Sequence, residues 1–486
     1  MDTIAKNNKK NYFLGILIII AFIIFNGLAV AKEHFEFLLL PFALLILFYA
    51  IYAADKLLIF ITLLVPLSIP LSEYYPSLGV DLALPTEPII IGLMILFLLR
   101  LIYVNDYDKQ IMSHPVSKVI IFSLLWILIT AISSTMPIVS IKFFLSRLWF
   151  VVVFFYLNAL WFKENKNFKI FIWLYSISLS IVVIYTFQKH LSYGLLDQQA
   201  ANFTCNPFYK DHTAYGAALA MIIFPVFYFV VGKNISLIKR IIALIFFSAF
   251  LFALIFSYSR AAWLSVAGAI VVGIIILLKI KFKHLALSTI IILAAGTLIY
   301  NQLMDDLEKN KQDSSGDFEK HLQSMYNVKT DASNVERINR WACALRMFNE
   351  KPLLGWGPGT YQFKYAPFQL SYQKTIISTN TGDRGNAHSE YLGPLAEQGI
   401  IGLLAVFLIL IYSIYTGLKA YKYAESSEVK WLAFFTILGL ITYFIHGLLN
   451  DFLDTDKLSI LFWGYIAYLT VANLYFSKNV NNEKLL

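Results

Sequence analysis

The sequence predicts an all-α polytopic membrane protein, and two observations carry that prediction. First, 59% of its 486 residues are hydrophobic and 14% are charged, where a soluble domain carries roughly 25% charged residues. Second, the apolar residues form continuous runs close to the roughly 20 residues that a helix needs to cross a bilayer. A transmembrane β-barrel would instead show alternating segments of about ten residues. Together these exclude a soluble globular enzyme, a disordered chain and a disulfide-stapled secreted domain. The net charge of +9 admits either nucleic acid or an anionic membrane surface as a partner. Its distribution decides for the membrane.

About 14 runs qualify by length and apolarity. They lie near Tyr12–Val30, Phe35–Ala53, Leu57–Leu71, Pro88–Val104, Val119–Ser133, Ile141–Phe162 and Phe171–Phe187. Further along come Thr213–Val231, Leu237–Phe256, Ala261–Leu278, Leu285–Tyr300, Gly399–Leu418, Trp431–Leu449 and Leu458–Phe476. The third, fifth and seventh are short, so the expectation is about 12–14 helices. Every second loop is basic, as at Lys6/Lys9/Lys10, Lys163/Lys166/Lys169, Lys279/Lys281/Lys283 and Lys419/Lys422/Lys430, whereas Ser72–Glu87 has no Lys or Arg. Basic loops stay in the cytoplasm, so both termini are expected there and the basic excess is topological, without nucleic acid. The start also carries lysines, an apolar stretch and Ala29-Val30-Ala31, as a signal peptide does. With so many runs behind it, the first reads as an uncleaved anchor.

The expected layout is spanning helices over 1–300, one large outer loop over 301–397, and spanning helices over 398–486. A loop that long is functional or disordered. Cys205 and Cys343 both fall on the outer side, where a disulfide and two separate buried thiols are both open readings. No Cys/His spacing suggests a metal site, and no cofactor is expected.

Outer-face charges are the candidates for chemistry, because the orientation rule does not account for them. Arg147 sits inside the sixth run, where an arginine is costly and a functional candidate by default. Snorkelling to headgroups is the plainer alternative. Arg260 begins the tenth run and suits a lipid-linked phosphate. In the loop, Ser333 and Glu336 have capping-box spacing, which starts a helix running to about Asn349. Arg337 and Arg340 share one face of it and could grip a diphosphate; a Glu336–Arg340 pair is the alternative. Pro352-Leu353-Leu354-Gly355-Trp356-Gly357-Pro358-Gly359 lacks the Gly-Lys-Ser/Thr of a P-loop, so it reads as a tight turn. His388 lies just before the run opened by Gly399, and an imidazole can accept a proton near neutral pH. Glu390 and Glu397 are candidate orienting or substitute carboxylates.

These residues together resemble the O-antigen ligase and O-antigen polymerase superfamily. His388-Ser389, nine further residues and Gly399-Ile400-Ile401-Gly402 match the ligase pattern of His, Asn/Ser/Gln, nine residues and G-x-x-G. Arg337 to Trp341, Pro352 to Gly359 and Ser259-Arg260-Ala261-Ala262 resemble three further family segments. The resemblance implies metal-independent, inverting transfer of a glycan from a polyprenyl (undecaprenyl) diphosphate donor, at the periplasmic face of a bacterial inner membrane. It implies that Arg260 and Arg337 hold the diphosphate, with Arg340 as the spare, and that His388 activates the acceptor. Glu390, Ser389, Gly399, Gly402 and Trp341 would support them. The acceptor is lipid A–core in a ligase and another lipid-linked glycan in a polymerase. A protein O-oligosaccharyltransferase and a polysaccharide transporter are the lesser alternatives.

Overall fold

A computed structural model describes residues 20, 22–27, 32, 49, 52–73, 82–104, 107–280, 332–370 and 385–478. The first two runs, the eleventh run and the stretch before Ala332 lie wholly or largely outside them. The chain divides into two units, Met1–Leu58 and Ile59–Leu486. Few residues of the first are described, and the long helices among the described residues all belong to the second.

Its helices are α1 (Thr86–Tyr103), α2 (Lys109–Ser113), α3 (Pro115–Ile132), α4 (Pro137–Phe162), α5 (Asn165–Tyr193), α6 (Gln198–Thr204) and α7 (His212–Val231). They continue with α8 (Leu237–Phe256), α9 (Arg260–Leu277), α10 (Ala332–Glu350), α11 (Tyr361–Lys364), α12 (Leu392–Tyr423), α13 (Ser427–His446) and α14 (Asp456–Tyr475). Among the described residues, ten of these are long and apolar enough to span a bilayer. The protein is an all-α polytopic membrane protein.

The short fifth and seventh runs became complete spans, α3 and α5 of 18 and 29 residues. The third did not. Its helix, Ala54–Leu64, has 11 residues and gives way to a tighter turn at Pro66 and a two-residue strand at Pro70. Proline supplies no amide hydrogen and clashes with the preceding turn, so the helix cannot continue.

Helix starts follow local chemistry. Pro115 and Pro137 occupy first-turn positions, where a missing N–H costs nothing. Asp211 caps α7 by accepting from the amides of Thr213 and Ala214, at 2.8 and 2.9 Å. Helices α7, α13 and α14 are mostly buried and form the centre, while α8 and α9 show most of their residues on the outside. Leu237, Ile238, Ile241, Leu244 and Ile245 make that exposed face of α8 apolar, as contact with lipid tails requires. Helix α4 passes through a π-helical stretch at Val151–Leu157. Such insertions widen a helix and recur at functional sites.

A buried polar clamp ties the start of α14 to the segment before α1. The Lys457 Nζ donates to the carbonyls of Val65 and Ser68 at 3.0 and 2.7 Å. Asp456 accepts from Ser68 and Thr86 hydroxyls at 2.7 and 2.6 Å. Such charges are tolerated only when fully bonded. Cys205 and Cys343 are separate, buried, free thiols. Cys343 packs in a small core with Met347, Tyr361, Tyr365 and Ala387, which joins α10 to α11 and the loop before α12.

Candidate active site

The site assembles at the end of the bundle where α7, α9, α12 and α14 begin and α13 ends. Its scaffold is a break in α12. Gly399 has φ 71° and ψ −167°, which divides Leu392–Tyr423 into two helices. The spanning helix starts after Gly399, as expected from sequence, and a short helix over residues 392–398 precedes it. A Cβ there would lie 2.1 Å from the carbonyl oxygen of Leu353. Glycine is therefore required both for the left-handed backbone and for the close approach. The break frees polar groups, and each finds a partner: Ile400 N–H donates to Pro352 O at 2.9 Å, and Gln398 O accepts from the indole of Trp126 at 2.9 Å.

The glycine-rich turn threads against this break. Trp356 and Gly357 N–H donate to the carbonyls of Ala396 and Glu397 at 3.2 and 2.8 Å. The Glu397 carboxylate accepts from the amides of Gly359 and Tyr361, at 2.9 and 2.8 Å. The tight-turn reading of this segment is met, and its ligand is the protein's own α12. Both oxygens of Glu397 are thus occupied in holding the turn. Glu390 is likewise engaged: one oxygen accepts from Tyr443 OH and from the amides of Phe452 and Leu453, fixing the α13–α14 corner. Ser389 Oγ accepts from the amides of Tyr391 and Leu392 at 3.3 Å and starts α12. Gly402 faces Gln398, where a Cβ would approach to 2.4 Å.

His388 protrudes from this frame with φ 49°, a conformation uncommon outside glycine and asparagine. Its amide donates to Asn386 Oδ1 at 3.2 Å, and its carbonyl accepts from Trp341 Nε1 at 3.5 Å. The imidazole itself has no hydrogen-bond partner among the described residues. Burial, then the nearby Arg337 and Arg340 guanidinium groups, push its pKa down to about 4, while Asp211 and Glu336 act in the other direction. The ring is therefore neutral at pH 7, with a free lone pair.

The expected loop helix is α10, Ala332–Glu350, close to the boundaries read from the sequence. Ser333's side chain lies outside the described residues. Glu336 is buried with Arg340, whose Nε donates to it at 2.8 Å. Arg340 also donates to Asn386 O at 3.2 Å and covers the Tyr365 ring at 4.7 Å. It is thus engaged in internal structure. Arg337, one turn earlier, is half-buried on the side of His388.

Arg260 is the first residue of α9, half-buried, after the fully buried Ser259. Ser259 presses on Gly216 in the second turn of α7, where a Cβ would lie 2.8 Å away. Asp211, the α7 cap, is one of the charges acting on His388. Arg260 thus follows a residue packed on the start of α7, and Arg337 acts on His388 from α10. Arg147 lies elsewhere. Its Nη1 donates to Leu453 O at 3.1 Å, its guanidinium sits 5.4 Å from the centre of the Phe143 ring, and it lines a separate cavity. Sequence reasoning missed Asp211 and His446. An aspartate before a helix reads only as a cap, and His446 looks like any histidine in an apolar helix; it is 1% exposed, with both ring nitrogens unpartnered among the described residues. No group of histidines, cysteines and carboxylates fit to hold a metal occurs among the described residues.

Residues 242–407 match the family described as O-antigen ligase. That stretch contains Arg260, Arg337, His388 and the Gly399 break. An uncharacterized protein of Haemophilus influenzae is 24% identical over 211 residues, 43% of this chain and 50% of the relative. The chain thus spans about half the length of the curated relative it matches. The matched segment of this multi-pass helical protein, with its arginines and unbonded imidazole, is thus similar to the O-antigen ligase family.

Proposed function

We propose that the protein is a glycosyltransferase of O-antigen ligase type, moving a glycan from a polyprenyl diphosphate donor onto lipid A–core at the periplasmic face of the inner membrane. The observation that carries this reading is the unbonded, neutral His388 imidazole beside Arg337. In the proposed step an acceptor hydroxyl attacks the anomeric carbon. The bond from that carbon to the diphosphate oxygen breaks, and polyprenyl diphosphate leaves with the electron pair. The hydroxyl proton passes to His388. Attack opposite the leaving group inverts the anomeric centre.

Arg337 and Arg260 would take up the charge that grows on the diphosphate, which fixed cations do best where water is scarce. Arg260 stands at the N-terminus of an 18-residue helix, whose dipole also favours an anion. As the diphosphate docks, it offsets the arginine field on His388 and makes the imidazole a stronger base. No metal is required in this scheme.

The test is transfer by the purified full chain in lipid, from a polyprenyl-diphosphate-linked glycan to purified lipid A–core. Product formation that is lost in both Arg337→Ala and Arg260→Ala supports the reading. Elongated lipid-linked glycan without transfer to lipid A–core would make the protein a polymerase instead. No turnover with either acceptor would refute both.

A further inference from the structure

Helix α10 is built inside out for a helix in water. Each residue advances about 100° around a helix axis, so one face recurs every three to four positions. By that rule Asn339, Arg340, Cys343 and Met347 share a face, and all four are buried. Polar bonds pin this face to the protein: Arg340 Nε donates to Glu336, and Asn339 Nδ2 donates to Gln369 Oε1 at 3.0 Å. The opposite face carries Ile338, Ala342 and Leu345. Ile338 is exposed, Leu345 is 47% exposed and Ala342 is half-buried. A water-facing helix shows the reverse arrangement, with its polar face outside.

The chain that leaves α10 continues this apolar surface. Leu353, 63% exposed, and Leu354 stand out from the glycine-rich turn. The carbonyl of Leu353 lies against Gly399, and Pro352 O accepts from Ile400 N–H at 2.9 Å. From that point α12 shows Ile400, Leu404, Phe407 and Ile411 as one exposed stripe, which in a spanning helix meets lipid tails. The two leucines therefore stand where the lipid-facing surface of α12 begins. Groups suited to the headgroup layer surround them. Trp341 and Phe348 are half-buried on the flank of α10, and Lys351 Nζ sits 4.3 Å from the centre of the Trp356 ring. Side chains with an apolar body and a polar tip favour that layer.

We propose that α10 and the Leu353–Leu354 turn form an in-plane element seated in the bilayer leaflet on the site's side, with Ile338, Leu345, Leu353 and Leu354 among the acyl chains. An amphipathic helix lying in the interface plane is held by such an apolar face. The bilayer is the partner because it covers the turn and the adjoining stripe of α12 at once. A second copy of the chain would have to displace lipid from that stripe to reach the turn. Arg337 precedes Ile338 on the flank of the same face, so on the transferase reading this seating also holds it at the depth of lipid phosphates.

The experiment places a nitroxide on single introduced cysteines in the full chain, in nanodiscs of phosphatidylethanolamine and phosphatidylglycerol that hold one copy each. Cys205 and Cys343 are buried, and the parent serves as the labelling blank. Power-saturation EPR compares collision with oxygen, which concentrates in lipid, and with a water-soluble nickel chelate. Leu345→Cys and Leu353→Cys should match the lipid-facing Leu404→Cys. Their oxygen-to-nickel ratio should lie about tenfold above that of Glu425→Cys, in the exposed loop between α12 and α13. Ile338→Cys, two turns earlier on the same face, should read as Leu345→Cys does and replaces Leu353→Cys if that variant does not fold. A ratio at Leu345→Cys equal to that of Glu425→Cys would put the face in water and overturn the inference. Because each disc holds one copy, a face that pairs with a second copy would also read as water. Shielding from both reagents would mean that protein covers the face, and would overturn the inference as well. Accessibility needs no turnover, so labels seated in lipid on a protein that transfers nothing would sink the transferase reading and leave the interfacial element standing.

Discussion

His388→Ala removes the proposed base while leaving the loop's backbone bonds in place. Loss of a general base lowers the transfer step by about 10²–10⁴, and the arginines should still bind donor. The structure adds a sign and a position on the pH axis. In the free protein, burial and the Arg337 and Arg340 charges hold His388 at about 4, below its ordinary 6.5. The imidazole stays unprotonated across neutral pH, so kcat/KM should be flat there and fall only as pH drops toward about 4. Bound diphosphate offsets the arginines, so the acid limb in kcat should lie at higher pH than the limb in kcat/KM. Arg337→Ala removes one of those charges and should also move the free-protein pKa upward. The assay is single-turnover transfer from a lipid-linked donor against pH, in the parent, His388→Ala and His388→Gln. A glutamine variant that keeps most of the rate, or an acid limb that persists unchanged in both variants, would refute the base assignment.

The two loop arginines should fail in different ways. Arg340→Ala removes the guanidinium that bonds the buried Glu336 carboxylate and should destabilise the fold, seen as a lower Tm and reduced protein in the membrane. Arg337→Ala should abolish transfer, and Arg337→Lys should restore little, because a point charge does not reproduce a bidentate fork. Glu397→Ala leaves the Gly359 and Tyr361 amides unpaired, at about 1–3 kcal/mol each, and proteolysis of the glycine-rich turn should report it. Gly399→Ala should disrupt the same turn, since its Cβ would collide with Leu353 O, and a folded, fully active variant would contradict the assigned backbone. Reporter fusions at Lys166 and Lys422 should read cytoplasmic and one at Lys364 periplasmic; the reverse at Lys364 would place the site in the wrong compartment.

Composition and residue order were enough for the fold class, because a bilayer leaves a chain this apolar little choice but helices whose backbone bonds close internally. They also located α10 to within a residue at each end and offered Arg147, Arg260, Arg337, Arg340 and His388 as candidates, since an arginine or histidine at a membrane boundary stands out against apolar neighbours. The purpose of the glycines was not legible there. Gly399 was legible as the start of a span, but the short helix before it and its close approach to Leu353, distant in sequence, were not. Nor could spacing separate Arg337 from Arg340, which share a helix face. That choice depends on Tyr365 and Asn386, brought to Arg340 by folding. Arg147 likewise reads as one more outer arginine until Leu453 and the carboxylate-lined cavity appear beside it. Local pattern reports what the membrane and the helix demand of each residue, whereas which side chains are free for chemistry depends on neighbours tens to hundreds of residues away.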